Sequence, residues 1–184
     1  MILHSTNGVS PKVSFAQGIA NGLAPDGGLY MPDSLPTLPR AFYRNIGEMS
    51  LRDVGYVVAN TLFGDMVSST KLKAIVDESL NFDIPLRHVA GNRYVLDLFN
   101  GPTFSFKDVG ARFMARLMPE LALTDSHRER NIILATSGDS GGAIANAFSR
   151  SANTNVYILF PKGDLTPEQV AQFATLRHVI AVEV

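Results

Sequence analysis

Apolar residues recur at different spacings in the two halves of the chain, and the change falls near Pro85. Before it the spacing is helical. Phe15, Ile19 and Leu23 repeat across Val13 to Leu23, and Val54, Val57, Val58 and Leu62 form a stripe over about Asp53–Phe63. Leu72, Ile75, Val76 and Leu80 form another over Ser69–Leu80, joined to the first through Gly64-Asp65. Pro25-Asp26-Gly27 signals a turn, and the prolines from Pro32 to Pro39 predict an irregular connector. After Pro85, short apolar runs alternate with amphipathic ones. Tyr94–Phe99, Ile132–Ala135, Val156–Phe160 and Val179–Val184 predict strands. Phe106–Leu117, with Phe106, Val109, Phe113 and Leu117 on one face, and Ala143–Phe148 predict helices. A further helix opens at Thr166-Pro167-Glu168, with Thr166 as its cap. Continuously apolar strands between helices predict a parallel sheet covered on both faces, following a small mixed domain. The last strand would leave an edge open to pairing with another chain.

Composition narrows the function classes. The chain has 184 residues, and its 16 Lys+Arg balance 17 Asp+Glu, which argues against nucleic acid or a polybasic membrane contact. Cysteine is absent, which excludes disulfides, thiolate metal sites and cysteine nucleophiles and fits a reducing compartment such as the cytoplasm. The first residues show no signal-peptide pattern, and no run approaches the ~20 apolar residues of a membrane helix. His4, His88, His127 and His178 lack ligand-like spacing, so no metal site is expected.

Two stretches carry candidate chemistry. In Asn100-Gly101-Pro102-Thr103-Phe104-Ser105-Phe106-Lys107-Asp108, Ser105 is placed to cap a helix, with Asp108 three residues on as in a capping box. Lys107 then falls in the first turn, where the helix dipole disfavours a cation. A local rule broken at one residue points to function, and an uncharged amine is the form that condenses with an aldehyde. The plain alternative is a lysine that reaches solvent from a helix end. The second stretch is Thr136-Ser137-Gly138-Asp139-Ser140-Gly141-Gly142, between a predicted strand and a predicted helix. Its unpaired N–H groups at a positive helix end would seat a carboxylate or phosphate; the alternative is an ordinary strand-to-helix turn. The string also fits G-x-S-x-G, which leaves a serine hydrolase open, with Ser140 as nucleophile and Asp164 and His178 following in order.

Three segments together resemble the threonine synthase family. They are Val13-Ser14-Phe15-Ala16-Gln17 with Gly22 to Pro32, then Leu98 to Asp108, then Ala135 to Ala143. The resemblance implies the pyridoxal-phosphate-dependent, tryptophan-synthase-β-like fold. Residues 1–84 would be the family's N-terminal domain and residues 85–184 an incomplete cofactor-binding α/β domain. It implies a lyase of threonine biosynthesis, converting O-phospho-L-homoserine and water to L-threonine and phosphate. Lys107 would be the catalytic residue and hold the cofactor as a Schiff base, with Phe106 and Asp139 also at the cofactor. Thr136, Ser137, Gly138, Asp139, Ser140 and Gly141 would bind substrate. Family members are considerably longer, and their later half supplies a glycine-rich loop for the cofactor phosphate and a partner for the ring nitrogen. Asp164 stands where the family often has a basic residue, and the stretch Leu176 to Val179 lacks an expected glycine. The chain thus looks truncated. An inactive relative that acts only by association with another chain, as a homo-oligomer or through its sheet edge, is the alternative.

Overall fold

The computed structural model describes residues 1–121 and 129–184. The chain divides into two compact units, one of residues 1–77 with 117–121, the other of residues 78–116 with 129–184.

The first unit is built on a small antiparallel sheet. Strand β1 (Ile2–Ser5) lies between β2 (Val13–Ser14) and β3 (Tyr30–Pro32). The helical spacing read over Val13 to Leu23 holds only within α1 (Phe15–Asn21): Ser14 ends β2 and caps the helix, forming a capping box with Gln17, and Leu23 lies exposed beyond the C-cap Gly22. Residues 33–39 carry no regular structure, as the prolines predict. Helix α2 (Arg40–Asn45), not anticipated from the sequence, follows. The two expected helices are α3 (Leu51–Phe63), capped by Ser50 and Asp53, and α4 (Ser69–Ser79). Leu72, Ile75 and Val76 are buried as predicted, whereas the α3 stripe is half-buried around a buried Ala59.

In the second unit, β5 (Arg93–Leu96) is shorter than the strand expected over Tyr94–Phe99. It pairs antiparallel with β4 (Leu86–Ala90), apart from the parallel sheet. Helix α5 (Lys107–Leu117) buries Asp108, Ala111, Ala115 and Leu117; of the expected face Leu117 is buried, Val109 and Phe113 are half-buried and Phe106 is exposed. Phe106 precedes the first helical residue and is exposed, so helical spacing does not apply to it.

The parallel sheet has the order β6 (Arg130–Ala135), β7 (Thr154–Phe160), β8 (Val179–Glu183). Helix α6 (Asp139–Phe148) joins β6 to β7, and α7 (Pro167–Ala174), capped by Thr166, joins β7 to β8. Right-handed crossovers that step the same way across a sheet place both helices on one face. On that face lie the buried Val156, Ile158 and Phe160, with Phe160 edge-on to the buried Phe173 of α7 at 5.7 Å. Among the described residues no helix of this sheet's crossovers lies on the other face, where the sequence leads one to expect cover as well. Ile133, Tyr157 and Ile180 align across it, and Ile133 and Ile180 are 69% and 45% exposed. Among the described residues no helix is long and apolar enough to cross a membrane, and no cluster of His, Cys, Asp and Glu could hold a metal. His127 lies outside the described residues.

Candidate functional site

Lys107 is the first residue of α5, in the place read from the sequence, but the cap is built differently. The Ser105 hydroxyl accepts from the Lys107 N–H at 3.3 Å, and Ser105 O accepts from the Asp108 N–H at 3.0 Å. Asp108 does not complete a capping box. Its carboxylate turns back to the loop, accepting from the Thr103 N–H at 2.9 Å and the Thr103 hydroxyl at 2.7 Å. The side chain of Lys107 is half-buried, and its Nζ stands 4.7 Å from the centroid of the exposed Phe106 ring. Among the described residues Lys107 forms no ion pair. An amine with one aromatic neighbour and no carboxylate partner is open to a carbonyl compound.

The second candidate stretch forms the expected strand–turn–helix. Gly138 precedes α6 with φ of +140°, a conformation open in practice to glycine alone. The buried Thr136 hydroxyl organises the turn: it accepts from the Gly138 N–H at 3.1 Å and the Gly141 N–H at 2.9 Å, and donates to Gly138 O at 3.2 Å. That uses its one donor and both acceptor sites, so Thr136 shapes the turn from inside. Gly138 and Gly141 are buried with it, Ser140 is half-buried, and Ser137 and Asp139 are exposed. The Gly141 N–H also donates to Gly138 O at 3.0 Å, and Asp139 in the first turn complements the positive end of α6.

The structure therefore joins Thr136, Gly138 and Gly141 in one hydrogen-bonded turn and sets Lys107 beside Phe106. Among the described residues no hydrogen bond or ion pair links the two groups. Nor does any hydrogen bond join Ser140 to His178 or Asp164, both of which are exposed. The turn also follows the first strand of the parallel sheet, whereas a hydrolase sheet is largely built before its nucleophile elbow. The Thr103–Asp108 pairing escaped the sequence reading. The signal for it was a hydroxyl and a carboxylate five residues apart across a turn, which the capping-box pattern also claims.

Comparison with known proteins bears on these groups. The family model described as "Threonine synthase N terminus" matches residues 3–80. A threonine synthase of Haemophilus influenzae is 37% identical over 176 residues, covering 96% of this chain and 40% of that protein. The threonine synthase of Escherichia coli is 33% identical over 176 residues, again covering 40% of its length. Among solved structures, a pyridoxal-phosphate-bound threonine synthase from Brucella melitensis superposes with a TM-score of 0.88 at 34% identity, covering 100% of this chain and 41% of that one. The Escherichia coli enzyme superposes with a TM-score of 0.88 at 32% identity, with 42% of it covered. The chain spans about two fifths of the length of the curated relatives it matches.

Proposed function

Because the chain belongs to the threonine synthase family, whose N-terminal part it spans, we propose that it carries the amine-bearing part of a pyridoxal-phosphate site. The reaction is the conversion of O-phospho-L-homoserine and water to L-threonine and phosphate, in the cytoplasm. The observation that carries this reading is the place of Lys107: the first turn of a helix, half-buried, against an aromatic ring. These residues fit the aldehyde end of the cofactor. Lys107 would hold it through its amine, which Phe106 flanks. When bound, pyridoxal phosphate supplies a sink for the electron pair left at the substrate α carbon. The Lys107 amine would move protons at the α and β carbons of the substrate. Ser137 and Ser140 receive the substrate anion at the start of α6, Asp139 orients a donor there, and Thr136 holds the turn in shape through the Gly138 and Gly141 N–H groups. The chain spans about two fifths of its relatives' length, and the family's glycine-rich loop and ring-nitrogen partner belong to the later part. The activity proposed for this chain is therefore cofactor capture, with turnover dependent on those further groups.

Titration with pyridoxal phosphate tests the reading. A visible absorbance band should develop with the native chain and be absent in Lys107→Ala. A chain that gives no band at any cofactor concentration would remove the reading. A second reading, association with another chain, is favoured by the sheet face bearing the exposed Ile133 and Ile180 and by the edge strands β6 and β8.

A further inference from the structure

The side chain of Asp108 is fully buried, yet it forms no ion pair among the described residues. Burying a carboxylate is costly unless its oxygens are satisfied. Here both are used on one residue, Thr103: Oδ2 accepts from its N–H at 2.9 Å and Oδ1 from its hydroxyl at 2.7 Å. The carboxylate also rests on the backbone of Gly101, where a Cβ would lie 2.5 Å from Oδ2 and 3.0 Å from Cγ. Only glycine permits that approach. Between these anchors the chain turns through Phe104, whose φ of +56° is a left-handed conformation unusual for an aromatic residue. Arg112, one turn along α5, feels the Asp108 charge, but its guanidinium is spent on Ser79 O, Glu78 O and the Asn81 side chain. The carboxylate thus serves the loop before the helix, and the two residues between loop and carboxylate are Phe106 and Lys107.

We infer that Asp108 is a positioning residue: with Thr103 and Gly101 it clamps the 101–105 loop in its strained form and so sets the direction in which the Lys107 amine leaves α5. The inference rests on Lys107 as the reactive amine of the site. A loop free to relax at Phe104 would rotate the first turn of α5 and move Nζ off the Phe106 ring. Small displacements of a reacting group are expensive in rate.

The test is competitive amine labelling of the 184-residue chain, read lysine by lysine by mass spectrometry, with Lys12, Lys71 and Lys73 as internal references. The variants are Thr103→Val, which removes one donor without changing volume, Asp108→Asn, and the conservative Thr103→Ser. The labelling rate of Lys107 relative to the references should change by about tenfold in Thr103→Val and Asp108→Asn. It should return to the native value in Thr103→Ser. Capture of pyridoxal phosphate should follow the same order. Unchanged Lys107 labelling in a folded Thr103→Val chain would overturn the inference. So would global unfolding of both disruptive variants beside a native-like Thr103→Ser, since the pair would then serve stability alone. If pyridoxal phosphate attaches to no version of the chain, the proposed cofactor role fails, while the labelling ratios still decide the clamp.

Discussion

Asp26 accepts hydrogen bonds from the Ser5 hydroxyl at 2.6 Å and from the N–H groups of Val9, Ser10 and Gly28 at 3.0, 2.8 and 3.0 Å. The Ser5 hydroxyl first, then these N–H groups, hold its carboxyl well below the ordinary carboxylate range, outweighing the opposing effect of desolvation. The unfolded chain, with an ordinary value of about 3.9, takes up the proton first as pH falls. The stabilisation is therefore present above about pH 4 and is lost as pH drops toward the folded value. Thermal melts between neutral and strongly acidic pH should show Asp26→Asn less stable than the native chain at neutrality, with the gap closing in acid. A gap that stays constant would sink this account. The residue was legible as part of a Pro-Asp-Gly turn. The bond from Gly28 belongs to that turn, but the other three were not legible, because their donors come from β1 and from the loop after it, brought near only by folding.

At the scale of elements, caps and turns were the most legible features, because a cap is a contact between residues three apart. Thr166 was expected to cap α7 and does so, together with Gln169. Ser105 and Asp108 show where local reasoning ends: the spacing allows a capping box, but a partner across the turn competes successfully for the carboxylate. Burial on α5 was misread for a related reason. Large apolar residues suggested a face from Phe106 to Leu117, whereas Leu117 alone of that set is fully buried, with the small Ala111 and Ala115 beside Asp108. The turn before α6 depends on one hydroxyl. Thr136→Val would leave the buried Gly138 N–H without its acceptor. We expect a loss of about 1–3 kcal/mol in chemical denaturation, with Thr136→Ser close to native.

Over the whole molecule, the parallel sheet is the least finished part. Ile133 and Ile180 stand exposed in register with Tyr157, on the face opposite α6 and α7. Contiguous exposed apolar surface of this kind favours association. Sedimentation velocity over a range of concentrations should show reversible self-association of the native chain, suppressed in the double variant Ile133→Glu/Ile180→Lys. A native chain that stays monomeric throughout would count against the associating reading. Since these positions are exposed, the variant should melt within about 0.5 kcal/mol of the native chain.

The sequence by itself determined the α/β class, the strand–turn–helix before α6, the helix that begins at Lys107 and the family resemblance. Each of these is written in residues close together in the chain, as periodicity, capping pairs or short motifs. Only the tertiary structure decided that β5 pairs with β4, that both crossover helices lie on one face of the parallel sheet and that Asp108 binds Thr103. Those outcomes depend on which distant groups compete for the same hydrogen bonds and apolar surface. The Lys107 amine belongs to both accounts: its place in the chain was readable, and the loop that aims it was not.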